Sequence, residues 1–478
     1  MDFARCAFGL VCPVWGAWPV LEWRRMSDLL AVIMAAGQGT RMKSRLPKVL
    51  HRVAGRAAVD YVVQAAAEAG ASRMVVVVGH EADQLREHFQ GQPLELVEQR
   101  QQLGSGHAVQ QALPLIESLG NSAVVDRVLV LNGDAPLVEG EALRCLAEHH
   151  TAAGAEVSLL SALVADPEGL GLVQRDAAGV RVVEWADATA AERAGHEVNT
   201  GLYCFDARWL ARELPRLTLS PKGEYYLTEL IGRARRVEAV PTTCLDGCIG
   251  VDTREKLADA ERAMQRRLRR RCMAEGVTLI DPRSVFLDAD STVGADSIIY
   301  PNTLLQRSQV GEGCTLGPNS MLRDAHIGRD CTIQYSVIEG STVEDDVTVG
   351  PFSHLRPGSL VHRGARLGNF VEIKNSSIGE GTDIHHFSYT GDAEVGRGVN
   401  IGAGAVTVNL NTESGVKSRT RVGDGASIGS DTMLVAPLEV GAGAVTATGS
   451  VVTHDVPPGK LVKGVPARVA RDVRQRAR

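Results

Sequence analysis

The hydrophobic positions change rhythm part-way along the chain. Up to about residue 253 they come as short unbroken apolar runs, Leu30 to Met34, Met74 to Val78 and Val128 to Leu131. Between these lie stretches with helical spacing, Ala57 to Ala69 and Ser105 to Glu117. A short apolar run without alternation is what a strand covered on both faces needs. The alternation of such strands with helices predicts an open parallel sheet with helices on both sides, a Rossmann-like α/β domain. Ligands of these sheets bind beyond the carboxyl ends of the strands, so the loops there are the places to search.

From about residue 278 the period is six. Val343, Val349, Leu355, Val361, Leu367 and Ile373 form one series, and Val422, Ile428, Leu434, Val440, Thr446 and Val452 a second. Val293 and Ile299, then Val310, Leu316 and Leu322, begin the pattern, and Gly often follows the aliphatic residue. A helix cannot keep a six-residue period on one face, and a plain strand alternates in twos. A triangular coil can, with one aliphatic pointing inward from each flat side. Hexapeptide repeats of this kind predict a parallel β-helix. Between the two halves, Arg254 to Glu275 has no Gly or Pro and carries Leu257, Ala260, Met264 and Leu268 at helical spacing. The reading there is a solvated linker helix.

Composition narrows the picture. At 478 residues the chain exceeds one ordinary core, so two domains are expected. Only 4% of residues are aromatic and 50 are Gly, which suits tight turns around small aliphatics. A net charge of −6 gives no electrostatic footprint for nucleic acid, and from Met26 on no apolar stretch reaches the ~18 residues of a membrane span. The nine cysteines show neither paired zinc spacing nor a disulfide framework, which favours a reducing, cytoplasmic setting. Residues 1–25 are apolar and tryptophan-rich but lack a cleavage site, and read as an over-long start ahead of Met26. The expected division is 1–25 extension, 26–253 front domain, 254–277 linker helix, 278–458 solenoid, and 459–478 a basic tail, read as a disordered end.

Chemistry gathers in the loops after the front strands. Ala35-Ala36-Gly37-Gln38-Gly39-Thr40-Arg41-Met42 follows the first strand, and Leu46-Pro47-Lys48 comes next. Glycines there let backbone N–H groups surround a polyphosphate, and Arg41 and Lys48 supply cations for phosphoryl transfer. A bare G-x-G occurs in many turns for steric reasons alone, and this one has neither a third glycine nor a P-loop ending. The full stretch is more specific, and it resembles the signature of the sugar-phosphate nucleotidyltransferases. Gln99 and Gln102-Leu103-Gly104-Ser105-Gly106 resemble the uridine-reading loop of that group. Asp134 in Asn132-Gly133-Asp134 and Asp252 in Gly250-Val251-Asp252 each follow an apolar run. Each alone reads equally as a turn residue; together they suit Mg²⁺, which one or two carboxylates hold along with substrate phosphates.

The solenoid adds Leu355-Arg356-Pro357-Gly358, Gly368-Asn369-Phe370-Val371-Glu372-Ile373-Lys374, His386-Phe387-Ser388-Tyr389 and Asn400-Ile401-Gly402-Ala403-Gly404. With the front half, these resemble one family over nearly everything from Ser27 to Pro466. It is the bifunctional N-acetylglucosamine-1-phosphate uridyltransferase/glucosamine-1-phosphate N-acetyltransferases, whose rear domain is a left-handed β-helix that trimerises.

That resemblance implies roles residue by residue. UTP and the UDP-sugar would lie against Met34, Ala35, Ala36, Gly37, Arg41, Lys48, Gln99, Gly104, Ser105, Asn132, Gly133, Gly171, Glu184, Asn199 and Asp252, with Mg²⁺ on Asp134 and Asp252. In the rear domain Arg356 and Lys374 would clamp the sugar phosphate, Tyr389 and Asn400 would hold the sugar, and His386 would be the general base. Acetyl-CoA would meet Ala403, Asn409, Leu410, Ser430, Thr448 and Lys463. The implied partners are small molecules and two further copies of the chain, with neither nucleic acid nor membrane. Four positions depart from the family pattern. Asp252 stands where Asn is usual, and Gly169-Leu170-Gly171-Leu172 replaces Gly-Tyr-Gly-Arg. Leu410-Asn411-Thr412 replaces Tyr-Asp-Gly, and Thr448 replaces a smaller residue. Strand alternation outward from Ile384 would turn His385 out and His386 in, whereas the family's His-x-x-Tyr spacing selects His386. Two other readings share this architecture: a different hexose-1-phosphate nucleotidyltransferase with a structural tail, and a non-catalytic assembly subunit.

Overall fold

The computed structural model describes residues 29–473 apart from 122–123, 168, 177–178, 244 and 249, so the expectation for residues 1–25 lies outside it. The chain divides into two compact units. One comprises the residues up to Ala36 with Val63–Asn132 and Glu139–Cys244; the other has Gly37–Val62, Gly133–Val138 and everything from Leu245 on.

The first unit is built on the apolar runs. Leu29–Met34 lies between Arg73–Val78 and Arg127–Asn132, parallel to both, and Glu95–Glu98 extends the sheet beyond Arg73–Val78. Chain order reverses at Leu29–Met34, the switch point at which such sheets bind ligands. The sheet is not wholly parallel as expected. Glu197–Asp206 runs antiparallel between Arg127–Asn132 and Val157–Leu163. A continuous apolar run specifies burial on both faces and leaves strand direction open. The helix expected over 105–117 is two helices, Ser105–Gln110 and Leu113–Asn121. Pro114 has no N–H to offer the Gln110 carbonyl, and Gln111 and Ala112 close the first helix with i→i−3 bonds to Ala108 and Val109.

The second unit contains the solenoid, whose short parallel strands stack into three sheets of twelve, ten and nine strands. Inward residues are those of the six-residue series: Val343, Val349, Leu355, Val361, Leu367 and Ile373 are each at most 1% exposed. Where Thr446 breaks the aliphatic series, it too is buried, and its hydroxyl meets Thr432 Oγ1 at 3.1 Å and the Gly429 N–H at 2.9 Å. A buried hydroxyl in an apolar column is tolerated because it is hydrogen-bonded.

Two expectations about the edges of this unit fail. Helix Arg254–Ala274 is not a solvated linker: Ala260, Ala263, Met264, Gln265, Leu268 and Cys272 are buried in the same core as the coils. Gln265 donates to the Leu287 carbonyl at 2.6 Å and accepts its N–H at 3.0 Å, tying the helix to an early coil. The basic end is not disordered over its described part. Lys460–Gly464 joins the twelve-strand sheet beside Val445–Thr446, and Ala467–Asp472 folds back antiparallel on it. Val462 and Ala467 supply the buried positions that the count of basic residues hides. No described helix is long and apolar enough to cross a membrane.

Candidate active sites

In the second unit, the turn Gly37–Lys48 is shaped around Lys48. Gly39 has φ +60°, and a Cβ there would lie 2.9 Å from Lys48 Cβ; one on Gly37 would lie 3.4 Å from Lys48 Cε. Glycine at both positions lets the lysine stem lie along the turn. Lys48 Nζ then reaches Asp134 Oδ2 at 2.5 Å. Asp252 Oδ2 pairs with Arg41 at 2.9 Å and Lys256 at 3.1 Å. The motif residues Arg41, Lys48, Asp134 and Asp252 therefore form two cation–carboxylate pairs. Lys256, which the sequence reading missed, sits one helical turn after Asp252, where an i,i+4 charge pair is expected.

These groups suit Mg²⁺. Asp252 Oδ1 is buried and makes no hydrogen bond among the described residues, a costly state for a carboxylate oxygen unless a ligand meets it. The donors are hard carboxylate oxygens, the type that Mg²⁺ takes together with phosphates and water.

In the first unit, Met34 and Asn132 are paired across neighbouring strands at their carboxyl ends. Ala35 and Ala36 follow, both buried, with the Ala35 N–H on the Val77 carbonyl at 2.8 Å. Gln99 is buried, and its amide donates to the Gly104 carbonyl at 3.1 Å. Gly104, at φ +97°, passes so close to Tyr225 that a Cβ would lie 2.7 Å from that carbonyl oxygen. Ser105 is turned inward, where its Oγ accepts the Leu227 N–H at 3.1 Å. Gly171, Glu184 and Asn199 come together: a Cβ on Gly171 would lie 3.8 Å from Glu184 Oε2 and 3.7 Å from Asn199 Cβ. The Asn199 N–H donates to the Gly171 carbonyl at 2.8 Å, and its side chain to the Tyr203 hydroxyl at 2.6 Å.

On the solenoid, Leu355 pairs with Ile373, and Glu372, Ile373 and Lys374 pair with Tyr389, Thr390 and Gly391. Arg356 and Lys374 follow inward residues one coil apart, ~4.8 Å in the pairing direction, and so form a column of two cations. Arg356 is 3.0 Å from Glu372 Oε1. The Tyr389 ring lies over Gly391, where a Cβ would be 2.3 Å from the hydroxyl. Burial raises the Tyr389 phenol above its ordinary range against an opposing hydrogen bond with Asn409. Asp392 anchors this corner, accepting from Asn375 at 2.6 Å and Asn409 at 2.5 Å. Burial disfavours its charge, but those amides and nearby Lys374 outweigh it and hold the carboxyl below the usual range. Glu372 stood within a quoted motif without a role, and Asp392 was not singled out; Asp392 follows Gly391 at a coil corner, with φ +48°.

His386 ends the strand Asp383–His386, which lies in the twelve-strand sheet and pairs there with Asn400–Ile401 of the next coil. Ile384 is buried as the register requires, but His385 and His386 both face outward, and His386 is exposed. Strict alternation fails because the chain turns at once, with Phe387 at φ +55°. Ala403, Ser430 and Thr448 stand at one corner of successive coils, linked by Asp431 N–H to Ala403 O at 2.7 Å and Gly449 N–H to Ser430 O at 2.8 Å. Lys463 follows Val462, which pairs with Thr446, and is exposed. Leu410, the residue after Asn409, is exposed on a small hairpin opposite Lys417.

Comparison with known proteins resolves which family this is. The MobA-like NTP transferase domain family matches residues 31–227. The bifunctional protein GlmU of Heliobacterium modesticaldum is 44% identical over 444 residues, 91% of this chain and 95% of that protein. Those of Geobacillus thermodenitrificans and Pelobacter propionicus are 44% and 42% identical, over 92% and 94% of this chain and 96% and 98% of theirs. The chain belongs to the bifunctional GlmU family. This bears out the resemblance read from the motifs, and the chain is a bifunctional transferase. Coverage that runs through both halves of bifunctional relatives sets aside a different hexose-1-phosphate nucleotidyltransferase with a structural tail, and equally a non-catalytic subunit.

Proposed function

We propose that this chain acetylates glucosamine-1-phosphate with acetyl-CoA on its solenoid and then transfers UMP from UTP to the product, giving UDP-N-acetylglucosamine and pyrophosphate. The observation that carries this reading is the column of Arg356 and Lys374 beside Tyr389, with His386 on the same coils. Two cations one rung apart match a phosphate monoester, and a ring with a polar tip beside them matches a sugar. His386, exposed at the corner, accepts the proton that the C2 amine loses as its nitrogen bonds to the thioester carbonyl and the C–S bond breaks. Ala403, Ser430, Thr448 and Lys463 form the edge along which acetyl-CoA would lie.

In the second reaction a phosphate oxygen of N-acetylglucosamine-1-phosphate attacks the α-phosphorus of UTP. Lys48 and Arg41 offset the charge on the phosphates, Gln99 reads the uracil, and Glu184 and Asn199 orient the sugar. A Mg²⁺ held by Asp134 and Asp252 supplies further charge neutralisation when bound. Departure from Asn at Asp252 adds a negative charge, and Lys256 lies within reach to balance it.

The test mixes glucosamine-1-phosphate, acetyl-CoA, UTP and Mg²⁺ with the protein. UDP-N-acetylglucosamine should form, and omitting acetyl-CoA should stop it unless N-acetylglucosamine-1-phosphate is supplied. Product formation without acetyl-CoA, or acetylation without uridylyl transfer, would refute the reading. The flat solenoid faces suit a closed three-fold assembly in the cytoplasm. Light scattering should give three times the chain mass; a monomer with intact acetyl transfer would contradict it.

A further inference from the structure

Three coils of the solenoid carry an arrangement that neither site uses. Thr342–Val343, Leu360–Val361 and Ser377–Ile378 are neighbours in the nine-strand sheet, and Glu344, His362 and Ser377 lie on them or one residue beyond. His362 Nδ1 is 3.0 Å from Glu344 Oε1, and its Nε2 is 3.1 Å from Ser377 Oγ. The other carboxylate oxygen, Glu344 Oε2, accepts the Arg363 N–H at 3.0 Å. Backbone thus fixes the carboxylate, and the carboxylate fixes the ring.

The tautomer follows from the partners. An ionised carboxylate only accepts, so Nδ1 carries the proton of the neutral ring and Nε2 is left to accept from the serine hydroxyl. Acid, base and nucleophile then stand in the order and at the distances that activate a serine, and such constellations are identified by geometry and not by fold or sequence position. The His362 side chain is 33% exposed and that of Glu344 44%, so the relay is held in place yet open to solvent. An open groove of about 400 Å³, lined by Glu344, Arg363, Gln309, His326 and Thr342, lies on the other side of Glu344, and neither His362 nor Ser377 lines it.

We propose that Ser377, His362 and Glu344 form a third reactive centre, which hydrolyses small carboxylic esters through an acyl-serine. Ser377 Oγ bonds to the ester carbonyl carbon while its proton passes to His362 Nε2. The carbon–oxygen bond to the alcohol then breaks, and the alkoxide leaves with that proton. Water, deprotonated at Nε2, attacks the acyl-serine, releasing the carboxylic acid and restoring Ser377. Glu344 stays ionised throughout and stabilises the transient imidazolium. Nothing is oxidised or reduced.

The full-length protein is treated with an alkyl fluorophosphonate, the labelled residue is mapped by mass spectrometry, and p-nitrophenyl acetate hydrolysis is followed in parallel. One label per chain on Ser377 is expected, with none on Ser377→Ala. His362→Ala should slow ester hydrolysis by about 10²–10⁴-fold, the usual worth of a general base. Acetyl and uridylyl transfer should be unchanged in both variants, which also shows that they fold. Label spread over several serines of the unmodified protein would overturn the proposal whatever the variants do. So would ester hydrolysis that survives Ser377→Ala and His362→Ala at the wild-type rate.

Discussion

Asp134→Ala is expected to lower uridylyl transfer by about 10²–10³-fold, the loss that follows removal of one preorganised group from a charge-stabilising site. Two consequences of the geometry combine. Lys48 loses the carboxylate at 2.5 Å that holds its ammonium in place, and the pair of hard carboxylates is reduced to Asp252 alone. Acetyl transfer should be unaffected, because Asp134 bonds to Lys48 and Val251 and to none of the coils from Arg356 to Asn409. That activity also reports folding, since an unfolded solenoid could not acetylate. Asp252→Asn restores the residue usual in the family and should keep most of the uridylyl transfer. The check is a pair of rates on one preparation, pyrophosphate release from UTP and thiol release from acetyl-CoA. Parallel loss of both in a folded Asp134→Ala protein would sink the two-site reading.

How legible these sites were depends on whether a constraint is local. The coils could be read because one inward side chain per six residues is a steric requirement repeated many times, and even Thr446 keeps the register. Arg356, Lys374 and Tyr389 each stand beside an inward position of that register, but their family motifs and not the register singled them out. Direction was not legible in Glu197–Asp206, whose apolar residues specify burial equally for either orientation. The buried face of Arg254–Ala274 was masked by its charge, because arginines on the outer face dominate the composition of a helix whose alanines do the packing. Asp392 was missed for a different reason. Its partners, Asn375 and Asn409, are each 17 positions away, the length of one coil, and a contact between rungs leaves no mark on a local motif. The buried, unpartnered Oδ1 of Asp252 is likewise invisible until the chain is folded around it.

His386→Ala is expected to reduce acetyl transfer by about 10²–10⁴-fold, with uridylyl transfer from supplied N-acetylglucosamine-1-phosphate intact. The argument rests on what the two adjacent imidazoles face. His385 Nε2 is 3.7 Å from Asp383 Oδ1, a carboxyl that Arg366 binds at 2.7 Å and thereby holds below its usual range. His385 is therefore turned toward an ion pair along its own strand. The backbone beneath it is crowded, for a Cβ on Gly368 would lie 2.1 Å from the His385 carbonyl oxygen, so the strand has little freedom to exchange the two side chains. His386 is exposed at the corner where the strand ends. A base has to present a nitrogen to its substrate, and His386 does so at the exposed corner whereas His385 Nε2 faces the Asp383 carboxylate. Removing a group that acts in the transition state should lower kcat with little change in KM for glucosamine-1-phosphate. His385→Ala should alter neither. If the large loss fell on His385→Ala instead, the base would be His385, and the ion pair with Asp383 would then orient a catalytic ring.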